Sequence, residues 1–234
     1  MGIDFSVIIP ALNEAAEIGE TLAALRSIEE SVEIIVADGG SIDGTAEIAR
    51  DLGATVVQTP KGRGRQLRAG ADIATGDVLW FLHADSIAPV GALVEIRRAF
   101  QDKTVVAGNF ALRFDGDGRA ASFMTWFYPQ IRRLGLIYGD SGIFVRREAY
   151  VRIGGFKPLP LFEDLDLIGR LKKEGRLVHL QPELITSSRR FEGRPFLPVF
   201  IRWISFQCLY WLGVSPDRLA KVYHPTEPIH LRPS

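Results

Sequence analysis

The chain has 234 residues, 47% hydrophobic and 24% charged, proportions of an ordinary soluble globular protein that argue against a disordered chain and a polytopic membrane protein. Lysine plus arginine number 28 and aspartate plus glutamate 28, so there is no global positive field to gather a polyanion, and nucleic acid is not an expected partner. At roughly 150 residues per domain the length holds one large domain and a small appendage.

Four short apolar runs occupy the first third of the chain: Phe5 to Pro10, Val32 to Ala37, Ala54 to Val57 and Val78 to Leu82. Each is β-rich, brief and bounded by Gly, Pro, Asn or Asp, which marks strands buried on both faces of a parallel sheet. Helical patterns separate them over Ala15 to Ile28, with Ile18, Leu22 and Leu25 on one face, over Gly44 to Leu52 and over Gly64 to Ala74. The alternation predicts a Rossmann-like α/β fold: a mostly parallel central sheet, helices on both faces, and ligands beyond the carboxyl ends of the strands. Further on, Pro89 to Phe100 reads as a helix and Val105 to Phe114 as a long strand. Ala120 to Leu134 reads as an aromatic-rich helix that Pro129 should kink or split. Glu163 to Glu174 has acids in its first turn, bases in its last and Gly175 in the position after its end, a complete set of helix boundary signals. No repeat or low-complexity linker divides the chain. The expected organisation is one domain over residues 1–194 and an apolar helical extension over 195–234.

The chemistry is expected just after each apolar run. Pro10 should end the first ladder, and Asn13 or Glu14 can cap the following helix. After the second run come three glycines and two aspartates in Asp38-Gly39-Gly40-Ser41-Ile42-Asp43-Gly44-Thr45. Ser41 and Asp43 read as caps, whereas Asp38 reads as an acceptor for a base N–H or a ribose hydroxyl. Lys61 to Arg68 carries four cations beside a helix start and reads two ways, as a diphosphate site or as a solvated face. Its G-x-G lacks the third glycine of a dinucleotide fingerprint, so a nicotinamide cofactor is not supported. After the fourth run, His83-Ala84-Asp85 puts a carboxylate at the end of a buried strand, where its charge needs a partner. Asp85 is the candidate ligand for Mn²⁺ or Mg²⁺, which ordinarily take one or two carboxylates plus phosphate oxygens and water. Cys208, in an apolar stretch, reads as a core thiol in a reducing compartment.

These residues, in this order, resemble the family 2 glycosyltransferases, whose nucleotide-binding domain has the GT-A fold. The resemblance rests on P-A-L-N-E at Pro10 to Glu14, A-D-G-G-S-x-D-G-T at Ala37 to Thr45, G-x-x-x-A-T-G-D at Gly70 to Asp77 and H-A-D at His83 to Asp85. Gly154-Gly155-Phe156 with Glu163-Asp164-x-Asp166-Leu167 completes it. Tyr138-Gly139-Asp140 ahead of Phe144-Val145-Arg146-Arg147 makes the chain similar to compact bacterial members, a likeness that extends to members assigned carotenoid or other lipid acceptors. The resemblance implies an inverting transfer of a sugar from a UDP- or GDP-linked donor to an acceptor hydroxyl. It implies that Pro10, Leu12, Glu14, Asp38 and Gly39 line the nucleoside, that Arg63 and His83 meet the nucleotide, and that Asp85 holds the metal. Asp164, with Glu163 beside it, matches the general base, and Asp140 faces donor sugar or acceptor, or simply makes a turn. The family's usual D-x-D has His83 in its first place here. Arg189 and Arg190 stand where processive relatives carry Q-x-x-R-W, so one transfer, not polymerisation, is expected, with Arg190 as the donor-side cation.

Two other functions share part of this pattern, a sugar-1-phosphate nucleotidyltransferase and a non-catalytic nucleotide-sugar binding module. The first should carry a Gly-rich loop ending in Arg after the first strand, which is not what Pro10 to Glu14 offers; the second fits poorly with an intact Glu163-Asp164 pair. The apolar stretch Phe196 to Gly213 is interrupted by Pro198, Arg202, Ser205 and Gln207 and does not read cleanly as a membrane span. As a helix it must be covered by the domain core, by a second copy in a homodimer, or by a membrane interface, where nearby arginines would suit anionic lipid. The N-terminus shows no secretory signal pattern, so the expected location is cytoplasmic, with peripheral contact at the inner face of the membrane one option.

Overall fold

The computed structural model describes residues 4–28, 32–189 and 195–222. The βα alternation is present as β1 (Phe5–Ala11), α1 (Ile18–Arg26), β2 (Glu33–Asp38), α2 (Thr45–Asp51), β3 (Thr55–Gln58), α3 (Arg63–Ile73) and β4 (Val78–Phe81). It continues through β5 (Ser86–Ile87), α4 (Ala92–Ala99), β6 (Val105–Phe114), α5 (Arg119–Arg133), a 3-10 turn (Gly139–Ser141), β7 (Phe144–Arg146) and α6 (Arg147–Arg152). The last elements are α7 (Glu163–Leu171), β8 (Arg176–Thr186), α8 (Phe196–Trp211) and α9 (Pro216–Val222). The sheet order is β3-β2-β1-β4-β7-β6-β8-β5. The first four strands are parallel, as is β6 with β8, while β7 is antiparallel to β4 and β6, and β5 to β8.

Side-chain alternation divides the core in two. Val7 and Ile9 of β1 face α1, with Ile18, Leu22 and Leu25, whereas Ile8, Ile35, Leu79 and Phe81 face α3 and α7 through Leu67, Ala71, Leu167 and Ile168. Helices thus cover both faces, and each buried Ile or Leu contributes about 1.5–3 kcal/mol. On the α3 side the fit depends on Gly70, where a Cβ would stand 2.5 Å from Ile8 Cγ2, so only glycine lets the helix lie this close to β1.

Three local expectations are corrected. Pro10 does not end β1, which pairs on to Ala11 opposite Asp38. The β4 ladder stops at Ile8, whose carbonyl accepts from Leu82 N–H, and Pro10 points to that same side, so its missing N–H breaks no ladder bond. Pro129 does not split α5, which runs as one 15-residue helix. Phe123 and Phe127 of that helix pack against Phe196 and Phe200 of α8, and this packing offsets a helix-interior proline that costs about 3 kcal/mol. Cys208 is exposed, because it lies on the outward face of α8, where Leu197, Ile201, Ile204, Trp211 and Leu212 are exposed as well. Among α8's residues only Gln207 is buried.

Candidate active site

The strand-end loops are sewn to each other before they can bind anything. Asn13 adopts the left-handed conformation, φ 55°, and its side-chain oxygen accepts from Ile42 N–H at 3.0 Å. In return Asn13, Glu14 and Ala15 donate their N–H groups to Ser41 Oγ, Thr45 Oγ1 and Asp43 Oδ2 at 2.9, 2.8 and 3.0 Å. Asp38 is buried, and its carboxylate accepts from the N–H groups of Gly40 and Ser41 and from the Ser41 hydroxyl. It therefore shapes its own turn, a role the sequence reading reserved for Ser41 and Asp43. Gln66 is a residue that reading missed. It is buried, and its amide donates to the carbonyls of Ala11 at 2.7 Å and Ala37 at 2.9 Å, tying the ends of β1 and β2 beneath Gly39. Pro10 and Leu12 are half-buried on the rim above it.

Of the four cations from Lys61 to Arg68, three are exposed and Arg63 turns inward. Gly64 permits this, because a Cβ there would stand 2.6 Å from the Lys157 carbonyl and 3.3 Å from Glu163 Cβ; the glycine serves close packing of α3 on the loop ahead of α7. Arg63 donates from Nη2 to His83 Nε2, which fixes that nitrogen as the acceptor and leaves the imidazole proton on Nδ1. Its Nε lies 3.4 Å from Glu163 Oε1. Burial raises the Glu163 pKa above the usual carboxylate range, against the pull of Arg63 and with help from Asp164. Asp164, also buried, accepts from Gly139 N–H at 2.8 Å through Oδ2 and from Leu165 N–H at 2.8 Å through Oδ1. Asp140 is in the same turn as Gly139 and helps raise the pKa values of Tyr128 and Tyr138, after the larger effect of burial on each. Phe162, just before the acidic pair, is left-handed with φ 62°, and its ring stacks on Tyr210 of α8 with centroids 4.7 Å apart. The neighbouring Trp203 packs on Tyr138.

A second charged group lies around Asp85. Arg189 Nη2 is 2.9 Å from Glu14 Oε2 and 3.3 Å from Asp85 Oδ2, and its Nη1 is 3.2 Å from Glu17 Oε1. Burial raises the Glu14 pKa although Arg189 opposes the shift. Asp85 Oδ1 is buried with no hydrogen-bond partner among the described residues. A buried, unsatisfied carboxylate oxygen suits a hard cation. No cluster of three or more His, Cys, Asp or Glu able to hold a metal occurs among the described residues, so a cation at Asp85 would draw its other ligands from a diphosphate and water. The structure therefore joins Glu14 with Asp85, and Arg63 with His83 and Glu163. Arg190, the cation expected from the sequence, is outside the described residues, as are His224 and His230, tail histidines that could complete a metal shell if the tail folds back, while Arg189 lies beside Glu14 and Asp85.

A sequence model described as glycosyl transferase family 2 matches residues 6–157. The chain belongs to glycosyl transferase family 2. Membership of this family speaks against the nucleotidyltransferase alternative. Among curated family relatives, it is 30% identical over 161 residues to the glucosyl-3-phosphoglycerate synthase of Petrotoga mobilis, covering 55% of this chain and 49% of that one. It is 40% identical over 88 residues to the 4,4'-diaponeurosporenoate glycosyltransferase of Staphylococcus haemolyticus, 34% of this chain and 24% of that one. The chain thus spans half or less of the length of these relatives. Solved structures confirm the GT-A fold. The glucosyl-3-phosphoglycerate synthase of Mycobacterium tuberculosis, in complex with Mn²⁺, UDP and phosphoglyceric acid, superposes with a TM-score of 0.63 at 22% identity, over 91% of this chain and 80% of that one. The mannosyl-3-phosphoglycerate synthase of Rubrobacter xylanophilus gives 0.61 at 19% identity, over 89% and 72%.

Proposed function

We propose that this family 2 chain is a glycosyltransferase that moves one sugar, with inversion at the anomeric carbon, from a nucleoside diphosphate sugar to the hydroxyl of an acceptor with an apolar body. The observation that carries the reading is a run of contacts between two carboxylate segments. Arg63 meets His83, two residues before Asp85 with its unsatisfied oxygen, and also Glu163, the residue before Asp164, which supports a leaving diphosphate handled at Asp85 and an attacking hydroxyl handled at Asp164.

In this mechanism Pro10, Leu12, Glu14, Asp38 and Gly39 receive the nucleoside, and the neighbours' UDP makes uridine the base to try first. Asp85 would hold Mn²⁺ or Mg²⁺, which when bound neutralises the departing diphosphate. Arg63, oriented by His83 and Glu163, offers guanidinium N–H groups to a phosphate oxygen. Asp164 takes the acceptor proton as the oxygen attacks the anomeric carbon from the face opposite the diphosphate, and the bonding pair leaves with the nucleotide. The two backbone N–H groups on Asp164 aim the carboxylate.

The apolar acceptor rests on α8. Its inner side carries Trp203 and Tyr210 to the turn and helix flanking Asp164, and its outer side exposes Leu197, Ile201, Ile204 and Trp211. At 16 residues it is about 24 Å long, and among the described residues no helix is long and apolar enough to cross a membrane. We assign it to the plane of a membrane surface, with Arg202 toward lipid phosphates. On this reading residues 1–194 form the transferase domain, 195–234 its acceptor-side extension, and the location is the inner face of the cytoplasmic membrane. The test is a panel of nucleotide sugars with Mn²⁺, scored for nucleoside diphosphate release and, by NMR, for product configuration. Retention of configuration, or release of a nucleoside triphosphate with pyrophosphate, would overturn it.

A further inference from the structure

None of the roles above uses Arg189, yet it is held as firmly as any residue in the site. Strand β8 pairs with β5 so that Thr186 stands opposite Ser86, which locks the backbone after Asp85 to the backbone leading to Arg189. Asp115 closes the turn, donating its N–H to the Thr186 carbonyl at 2.9 Å and accepting from Ser188 N–H. The guanidinium then ends among Glu14, Glu17 and Asp85, within 3.3 Å of each. One fixed cation serves three carboxylates, and it sits on the Asp85 oxygen next to the unsatisfied one.

We propose that Arg189 is a tethered counter-ion on the Asp85 oxygen beside the cation position, so that a divalent cation is held off on its own and loads only together with the donor's diphosphate. The inference rests on the assignment of Asp85 as the metal residue. A guanidinium stays charged at every accessible pH, so a bare Mn²⁺ at Asp85 Oδ1 would stand beside the guanidinium on Oδ2, two like charges sharing one carboxylate. A metal arriving with a diphosphate brings the anion to which Arg189 can turn, exchanging carboxylate for phosphate in the two-pronged geometry that arginine favours. Metal and nucleotide affinities are then linked, each raising the other by the same factor. Arg189 becomes a specificity residue: it makes the metal–nucleotide pair, not the free metal, the species the site accepts.

The test measures Mn²⁺ binding by the loss of its free-ion EPR signal, on the full chain with and without UDP. It compares the wild type, Arg189→Met, Arg189→Gln as a second charge-removing variant, and Arg189→Lys, with circular dichroism to verify folding. In the absence of UDP both neutral variants should bind Mn²⁺ about tenfold or more tighter than the wild type, within the range of ordinary site-to-site coupling, and Arg189→Lys should stay near wild type. The tightening by UDP should shrink in the neutral variants by the same factor. Neutral variants that bind Mn²⁺ alone no better than a wild type which still binds Mn²⁺ with UDP would overturn the role of Arg189 and leave the metal assignment standing. A wild type that takes up no Mn²⁺ even with UDP would overturn both.

Discussion

Asp164→Asn isolates the proposed base with little change of shape. The carboxylate is buried and accepts two backbone N–H groups, from Gly139 and Leu165, each at 2.8 Å. An asparagine amide has one oxygen for these two donors, so one buried N–H faces an NH₂ group, a loss of about 1–2 kcal/mol. For a chain of this size that lowers Tm by about 2–8 °C, and the protein remains folded at 25 °C. The chemical step loses its proton acceptor, which costs about 10²- to 10⁴-fold in kcat, or about 3–5 kcal/mol of barrier. The proposed donor side, at Asp38, Arg63, His83 and Asp85, keeps its contacts, so Kd for the nucleotide with Mn²⁺ should change by less than about threefold, under 1 kcal/mol. Calorimetry of UDP binding and a coupled assay of UDP release from the donor separate the two effects. Turnover within threefold of wild type, from a variant whose Tm has fallen as stated, would refute the assignment of Asp164 as base. A matching collapse of donor affinity would show that Asp164 serves the nucleotide.

Three further outcomes are expected. Gly70→Ala forces a methyl against Ile8 Cγ2 and should cost about 1–3 kcal/mol, whereas Gly169→Ala, in helix α7 with nothing within 4 Å of the added carbon, should stabilise by about 0.5–1 kcal/mol; urea midpoints of the two must move in opposite directions. His179 has its pKa lowered, chiefly by burial and then by Arg132 and Lys172, so on acidification through the ordinary histidine range the unfolded chain binds the proton before the folded one. Stability should therefore fall as pH drops from about 7 to 5.5, and His179→Gln should flatten that slope in thermal melts. Replacing Ile201 and Trp211 together by serine removes two large exposed apolar groups from α8 and should weaken sedimentation with anionic vesicles by about tenfold or more. Wild-type protein that ignores such vesicles at low salt and elutes as a dimer would replace the membrane by a second copy.

Much of this molecule was legible in the sequence because its strands are short apolar runs buried on both faces, and because the loops after them are dense in residues with few structural uses. The sheet, the loop after β1, the turn after β2 and the H-A-D segment all appear where those signals lie. Long-range register was not legible. Arg189 is carried to Asp85 by β8 pairing with β5 across about a hundred residues of chain, which no local pattern encodes. Gln66 was hidden inside a basic run, since a buried amide that ties two strand ends looks in sequence like any polar residue on a helix. The expected core thiol at Cys208 failed for a related reason: an apolar helix does not reveal which of its sides the domain covers.

The left-handed backbone at Phe162 is a small store of strain, about 1–3 kcal/mol for a residue with a side chain, and the stack on Tyr210 helps hold it in place. A helix that from outside resembles an appendage thereby braces the backbone two residues before Asp164. The family match ends at residue 157, so both partners of this stack, and Asp164 itself, lie in the stretch beyond it. On the proposed reading, the acceptor's route along α8 and the base Asp164 are mechanically joined through this stack. A redesign of α8 for a different acceptor is therefore expected to require residues 162 and 210 to change together.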